Sequence, residues 1–268
     1  MTIHRNIIVD RQGTLGRIIL NRPEARNPMD KVTSGEILAG LKHHFADPEV
    51  RSVVISGEGD AFCAGGDLKQ MAAFQEMSPV EAWHWPAAIV EMHQLMLKAD
   101  KPVIAAVNGP ASAGGMGLAG MCDVIVALRG ATFAVPEAKV GLFPMIIVAH
   151  LARAIPRKIL LDMMLTGDPI DADEAWRIGF VNRVAVDREE MWAEVERYAK
   201  RFAAVAPTAI ALGRRAFTLL SDMPAHQALD AAQFLNLPFF FGDDMKEGAN
   251  AFLERRRPEW SQYPPTDD

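Results

Sequence analysis

The stretch that decides the fold is Asn108-Gly109-Pro110-Ala111-Ser112-Ala113-Gly114-Gly115-Met116, which directly follows the apolar run at residues 102–107. A similar loop, Phe62-Cys63-Ala64-Gly65-Gly66-Asp67-Leu68, comes after the apolar run at residues 50–56. Each loop lies at a predicted strand end before a predicted helix, where backbone N–H groups point outward and favour negative charge. Two such loops on neighbouring strands can aim two N–H donors at one oxygen, as an oxyanion hole requires. Alternatively, the glycines simply end two strands.

Length and composition restrict the class of protein. The chain has 268 residues, of which 50% are hydrophobic and 23% charged, which fits one large domain or two small ones. The net charge of -6 favours a soluble protein and gives no basic footprint for nucleic acid. Two cysteines make neither a disulfide framework nor a zinc site, and no apolar run reaches the length of a membrane span. We therefore expect a cytoplasmic protein with neither nucleic-acid nor membrane partners.

The order of predicted elements changes along the chain. Apolar runs at residues 7–9 and 18–20 surround a turn and predict a hairpin, and residues 30–46 have helical periodicity. Strands and helices alternate to about residue 186, with short strands predicted over residues 132–135 and 180–186, and nearly all later segments, such as residues 225–237, are predicted helices. Ser78 and Glu81 have the spacing of a capping box, Pro86 should interrupt the helix that follows, and Asp171 begins another predicted helix. We expect an α/β core over residues 1–200 and a helical C-terminal region over residues 201–268.

Two patterns suggest cofactors and are set aside. Gly115-Met116-Gly117-Leu118-Ala119-Gly120 matches the dinucleotide fingerprint, but it does not open directly after the strand and leaves little room for a crossover helix. His43, His44, His84 and His93 are interpreted as surface or core histidines and not as metal ligands. We expect neither a bound metal nor a redox cofactor.

The two loops, taken with their surroundings, resemble the enoyl-CoA hydratase/isomerase (crotonase) family. The first loop is similar to the family's oxyanion segment, and residues 108–115 with Cys122-Asp123 are similar to its second segment. Asn21-Arg22-Pro23-Glu24-Ala25-Arg26-Asn27-Pro28-Met29 resembles the turn that contacts coenzyme A (CoA). Glu247-Gly248 and Arg255-Arg256-Arg257-Pro258 resemble the C-terminal helix, so the likeness runs in order from about residue 5 to 260.

The resemblance implies a role for each matching residue. The amide N–H groups of Gly66 and Gly114 would bind the thioester oxygen, and Glu137 would be the catalytic carboxylate. The CoA part of the substrate would contact four residues, with Arg26 near the phosphates or pantetheine and the rest at the adenine: Arg26, Ala64, Asp67, Leu68. The resemblance further implies a crotonase (ClpP-like) β-β-α spiral with a helical trimerisation region, assembled as a homotrimer or homohexamer.

One position departs from the family pattern. Many hydratases of the family have a second catalytic glutamate where this chain has Gly117, which would then lie in the substrate site without an acid. The apolar residues 142–147 predict a greasy pocket, in which the pKa of a carboxylate rises. Hydration of a 2-enoyl-CoA is the favoured function. Double-bond isomerisation by one glutamate and non-catalytic acyl-CoA binding are the alternatives.

Overall fold

The computed structural model describes residues 2–67 and 76–261. Ten strands and twelve helices are assigned within these ranges, together with two 3₁₀ helices, Pro23–Ala25 and Glu137–Val140. The strands are β1 Thr2–Ile3, β2 Ile7–Gln12, β3 Leu15–Leu20, β4 Ser52–Gly57, β5 Val103–Val107, β6 Ala111–Ser112, β7 Val124–Leu128, β8 Thr132–Ala134, β9 Ile170–Asp171 and β10 Arg183–Ala185. The helices are α1 Lys31–Ala46, α2 Pro79–His84, α3 Ala87–Leu97, α4 Gly114–Gly120, α5 Met145–Ala154, α6 Arg157–Thr166, α7 Ala172–Arg177, α8 Arg188–Ala203, α9 Pro207–Ser221, α10 Ala225–Leu235, α11 Leu237–Phe240 and α12 Asp243–Leu253.

The main sheet has seven strands in the order β1-β2-β3-β4-β5-β7-β10. The predicted hairpin is confirmed as the antiparallel pair β2–β3, and from β3 to β10 all neighbouring strands are parallel. Every residue of β4 and β5 is buried, as expected for central parallel strands covered on both faces. Because β4 and β5 are adjacent and parallel, the two glycine-bearing loops leave the same edge of the sheet.

A second sheet of three short strands, β6-β8-β9, lies beyond that edge. Strand β6 belongs to the second glycine loop and pairs in parallel with β8, which ends at Ala134, three positions before Glu137. This pairing brings the region of Glu137 beside the loop. Strand β8 matches the strand predicted over residues 132–135, whereas the two-residue strands β6 and β9 have no readable periodicity and were not predicted.

Helix boundaries follow local signals where these are strong. Ser78 and Glu81 form the predicted capping box of α2, and the chain is split at Pro86, after which α3 begins. Asp171 caps α7 as expected, by accepting from the N–H of Glu174. The strand predicted over residues 180–186 is shorter, β10, and the helix predicted over residues 225–237 is divided into α10 and α11. Helices α5 and α6 were not predicted.

The C-terminal helices pack against the core through a partly buried arginine. Arg214 of α9 lies 2.8 Å from the carboxylate of Asp123 and donates to the carbonyls of Met96 and Ala99. The predicted division after residue 200 falls inside α8, which packs on the sheet, so the domain boundary stays a prediction. A helix predicted over residues 67–76 and a frayed tail over residues 264–268 lie largely or wholly outside the described residues. In the described part of the chain, no helix is long and apolar enough to cross a membrane.

Candidate active site

The two glycine loops are joined by backbone hydrogen bonds. Cys63 and Ala111 form a parallel bridge, in which Ser112 N donates to Cys63 O at 3.0 Å and Cys63 N donates to Pro110 O at 3.2 Å. The first loop is also fastened to the preceding turn, because Met29 N donates to Gly65 O at 2.7 Å. The loops therefore hold each other in register, and they place Gly66 and Gly114 on the same side.

Each predicted oxyanion donor follows a residue with a positive φ angle. Gly65, with φ +92°, precedes Gly66, and Ala113, with φ +50° and ψ −122°, precedes Gly114. A positive φ is costly for alanine, and such strain is concentrated at functional sites. Within residues 2–67 and 76–261, the amide N–H groups of Gly66 and Gly114 have no hydrogen-bond acceptor. Two free donors beside the N-terminus of α4 match the requirement of an oxyanion hole.

Two cavities meet at these loops. The larger, of about 540 Å³, extends towards the turn at residues 22–28, and the smaller, of about 300 Å³, extends between α2, α3 and α5. The larger cavity contains Arg22, Ala25, Ala64 and Lys139 in its lining, and the smaller contains Gly114, Trp85, Ile89 and Ile146. Four residues line both cavities and mark their junction: Gly66, Asp67, Ala113 and Glu137.

Glu137 is the carboxylate at this junction. It begins the second 3₁₀ helix, directly after Pro136, and is half-buried. Its Oε2 atom is buried and has no hydrogen-bond partner among the described residues. Burial raises the pKa of the Glu137 carboxyl above its ordinary value, because a charged carboxylate is poorly solvated there. A carboxylate with one buried, unpartnered oxygen and a raised pKa is suited to taking up and returning a proton.

The predicted CoA contacts are only partly brought together. Ala64 lines the larger cavity and Asp67 lines both, while Leu68 lies outside the described residues. The side chain of Arg26 is exposed, and Arg26 is not among the described residues that line either cavity. Its carbonyl accepts from Ala64 N at 2.9 Å, which joins the turn to the first loop. The cationic side chains that line this cavity are Arg22 and Lys139, which the sequence analysis missed.

These two cations are already paired with acids. Arg22 lies 2.6 Å from Asp30, and Lys139 lies 2.9 Å from Asp168. Arg22 belongs to the same turn motif as Arg26, so the motif was the available signal. The motif alone does not say which of the two arginines lines the cavity. Arg26 ends the first 3₁₀ helix in a left-handed conformation, φ +61°, and its side chain is exposed.

Gly117 was expected in the substrate site from the family resemblance, and its role there stays a prediction. It is buried in α4, and among the described residues neither cavity includes it in its lining. A Cβ atom at Gly117 would stand 2.9 Å from Ile147 Cβ and closer still to its Cγ2. Ile147 of α5 therefore occupies the space into which a side chain at position 117 would extend.

The other glycines of the fingerprint-like run also serve helix packing. A Cβ on Gly115 would stand 2.7 Å from Cys63 Cβ, and one on Gly120 would stand 2.6 Å from Leu151 Cδ2. The glycines thus let α4 approach the first loop and α5 closely. His93 is a buried core residue and His84 is exposed, and no group of three potential metal ligands occurs in the part of the chain that is described.

Comparison with known proteins agrees with this geometry. The family model described as enoyl-CoA hydratase/isomerase matches residues 10–263. Crotonyl-CoA hydratase of Syntrophomonas wolfei is 36% identical over 258 residues, which cover 95% of this chain and 97% of that protein. The mitochondrial enoyl-CoA hydratase domain-containing protein 3 of Rattus norvegicus is 33% identical over 256 residues, which cover 93% of this chain and 82% of that protein.

The structural comparison confirms the predicted fold. The crystal structure of an enoyl-CoA hydratase from Mycobacterium smegmatis superposes with a TM-score of 0.89 at 34% sequence identity. The match covers 96% of this chain and 99% of that one. The mixed α/β core with a helical C-terminal region is the crotonase fold.

Proposed function

Because this chain belongs to the enoyl-CoA hydratase/isomerase family, we propose that it hydrates a 2-enoyl-CoA with Glu137 as its single acid/base. The observation that carries the proposal is the position of Glu137. Its carboxylate, whose Oε2 atom has no hydrogen-bond partner among the described residues, lies where the two cavities meet, beside the free N–H groups of Gly66 and Gly114. The name of the Syntrophomonas wolfei relative, a crotonyl-CoA hydratase, supports the same reaction class.

The two cavities fit the two parts of an enoyl-CoA thioester. The larger cavity contains the cations Arg22 and Lys139, which suit the phosphates and pantetheine of CoA. The smaller cavity contains Trp85, Ile89 and Ile146, which suit an apolar acyl chain. The thioester carbonyl then lies at the junction, within reach of both amide donors.

The proposed reaction balances with one carboxylate. Glu137 takes a proton from water while the water oxygen bonds to Cβ, and the electrons of the double bond move towards the thioester. The N–H groups of Gly66 and Gly114 stabilise the resulting enolate oxygen. Protonated Glu137 then donates to Cα, which gives the 3-hydroxyacyl-CoA and restores the carboxylate. These steps need no metal or redox cofactor, and CoA takes part only as a portion of the substrate.

Double-bond isomerisation is the second candidate, and one observation favours it. Ile147 fills the space beside Gly117, so no second acid helps to orient or activate water from that position. A single base moves a proton between two carbons of the same chain without water. Glu137 would remove a proton from Cα of a 3-enoyl-CoA and return one at Cγ.

One assay separates these functions. The enzyme is incubated with 2-enoyl-CoA and 3-enoyl-CoA in parallel in H₂¹⁸O, and the products are analysed by mass spectrometry. Incorporation of ¹⁸O at Cβ of the 2-enoyl substrate is the expected result. Conversion of the 3-enoyl to the 2-enoyl compound without uptake of ¹⁸O would show that the enzyme is an isomerase and not a hydratase. Binding of acyl-CoA with no turnover of either substrate would make the chain a non-catalytic acyl-CoA-binding protein.

The assembly and the location are proposed alongside the reaction. Several large apolar side chains on the C-terminal helices are exposed in the single chain, which supports a homotrimer or homohexamer: Phe217, Phe234, Phe241, Phe252 and Leu253. A cytoplasmic location stays a prediction, and the rat relative is named as mitochondrial.

A further inference from the structure

Two histidines lie directly behind the apolar wall of the smaller cavity. His93 follows Ile89 by four residues on α3, and His150 follows Ile146 by four residues on α5. Residues four apart share a helix face, so each histidine lies one turn, about 6 Å, beyond a residue that lines the cavity. The pair therefore forms a layer behind Ile89 and Ile146.

His150 connects α5 to the helix that carries the oxyanion donor. Its Nε2 lies 3.0 Å from the carbonyl oxygen of Gly117 in α4. Since a carbonyl only accepts, Nε2 carries the hydrogen and donates it. The same carbonyl also accepts from Met121 N at 3.1 Å, within the helical pattern of α4. The bond from His150 is therefore an additional link between helices, and α4 does not depend on it for its own backbone pairing.

His93 extends this link to α3. The rings of His93 and His150 lie with their centroids 4.9 Å apart and their planes at 79°, an edge-to-face arrangement. His93 is 7% exposed, and its Nε2 has no hydrogen-bond partner among the described residues. Burial lowers the pKa of His93 to about 3 and that of His150 to about 4, so both rings are neutral near pH 7. A buried ring nitrogen without a hydrogen-bond partner costs free energy of folding, and an apolar side chain that only filled the space would not have this cost.

We propose that His93 and His150 are positioning residues that determine which acyl chains the smaller cavity accepts. They link α3 and α5, which provide Ile89 and Ile146, to α4, which provides the N–H of Gly114. The distance between the apolar wall and the oxyanion hole then depends on the chain of contacts from Gly117 through His150 to His93. This inference rests on the proposed function, in which the smaller cavity takes the acyl group.

A matched pair of substitutions tests the link. His150→Leu removes the ring and the donor, whereas His150→Gln removes the ring but keeps an N–H at a similar reach. For each protein, the dissociation constants of butanoyl-CoA and dodecanoyl-CoA are measured by calorimetry. Loss of the link lets α5 move away from α4. We therefore expect the ratio of the two constants in His150→Leu to shift about tenfold towards dodecanoyl-CoA, the lower end of what one methylene contributes in an apolar pocket. His150→Gln should restore only part of the wild-type ratio, because it keeps a donor to the Gly117 carbonyl in α4 but not the ring contact with His93 in α3.

The ratio also separates positioning from stability. A variant that is merely less stable binds both ligands less well and keeps the ratio, so an unchanged ratio in His150→Leu overturns the inference. If His150→Leu does not fold, the pair His93→Leu and His93→Phe decides. His93→Leu removes the ring contact and should shift the ratio in the same direction, while His93→Phe should not, and an unchanged ratio in His93→Leu again overturns the inference.

Because the measurement uses saturated ligands, it does not depend on turnover. A shifted ratio together with no turnover of any enoyl-CoA would support the positioning role and reject the proposed hydratase. Turnover of enoyl-CoA together with an unchanged ratio would support the hydratase and reject the positioning role.

Discussion

Gly65 and Ala113 face each other across the two loops of the oxyanion hole. A Cβ atom on Gly65 would stand 2.8 Å from the Cβ of Ala113 and 2.8 Å from the carbonyl oxygen of Ser112. Both residues have positive φ angles, and each directly precedes a free N–H donor. We infer that the close approach of the loops and the positive φ angles of Gly65 and Ala113 together turn the N–H groups of Gly66 and Gly114 towards the cavity junction.

Gly65→Ala should separate the two loops. The new methyl group meets Ala113 and a backbone carbonyl, and alanine at φ +92° is strained regardless of the space available. We expect kcat to fall by about 10²–10³, as for loss of one oxyanion donor, together with a lower unfolding temperature. Ala113→Gly is the control, because it relieves the positive φ of Ala113 and should not lower the unfolding temperature. A fully active Gly65→Ala enzyme would contradict the predicted coupling of the loops.

Gly114→Pro should remove an oxyanion donor directly, since proline has no backbone N–H. Gly114→Ala is its matched control, because among the described residues a Cβ there meets Met29 at 3.7 Å, an ordinary contact. We expect the alanine variant to keep most of its activity and the proline variant to lose about 10²–10³ in kcat. Circular dichroism checks that both variants are folded. Equal activity of the two folded variants would show that the N–H group of Gly114 is not an oxyanion donor.

Glu137→Gln should keep thioester binding but lower kcat by roughly 10²–10⁴, the usual contribution of a positioned acid/base. Product analysis by mass spectrometry and ligand binding by calorimetry measure the two effects separately. The substitution should also stabilise the protein near neutral pH, because the buried Oε2 atom no longer carries an unpartnered charge. Near-normal kcat in this variant would show that a group other than Glu137 transfers the proton.

The direction of the pKa shift of Glu137 predicts two pH dependences. Glu137 acts first as a base, so kcat/KM should fall with decreasing pH through a pKa above the ordinary value of 4.5. Between the ordinary pKa of an unfolded glutamate and the raised pKa of Glu137 in the folded protein, the folded protein binds more protons than the unfolded chain. The contribution of Glu137 to stability therefore decreases as pH rises through this interval. Thermal unfolding of wild-type and Glu137→Gln between pH 4 and 7 compares the two proteins. Parallel curves would show that Glu137 titrates as an ordinary exposed carboxyl.

Adding an acid at position 117 should require a second substitution. Gly117→Glu alone places side-chain atoms where Ile147 lies, and overpacking of this kind typically costs about 1–3 kcal/mol. We expect this single variant to be destabilised, with no gain in hydration of straight-chain 2-enoyl-CoA. In Gly117→Glu combined with Ile147→Ala, the acid has room, and hydration should increase. Ile147→Ala alone is the control, and equal hydration by it and the double variant would leave position 117 without a role.

The apolar side chains of the C-terminal helices predict self-association. Phe241 and Phe252 are 85% and 83% exposed in the single chain, which is unusual for phenylalanine in a monomer. Light scattering over a series of concentrations should give the mass of three or six chains. A monomer at every working concentration would contradict this prediction.

Much of this protein follows from its sequence alone, because the relevant signals are local. The hairpin β2–β3, the capping box of Ser78 and Glu81, and the interruption at Pro86 all depend on residues within a few positions of one another. The two glycine loops were also predicted from their places in the chain, each after an apolar strand, whereas Glu137 came only from the family resemblance. The family resemblance added their roles, which local periodicity does not contain.

Only the tertiary structure decided which residues share a space. Ile147 covers Gly117 from thirty positions away in the chain, and Arg22 instead of Arg26 faces the larger cavity. His93 and His150 meet because α3 approaches α5, which packs on α4, and no periodicity of either helix indicates this. Such contacts depend on how helices with different neighbours fit at the edge of the sheet. They result from packing over long separations in the chain, whereas hairpins, caps and helix breaks result from the backbone preferences of adjacent residues.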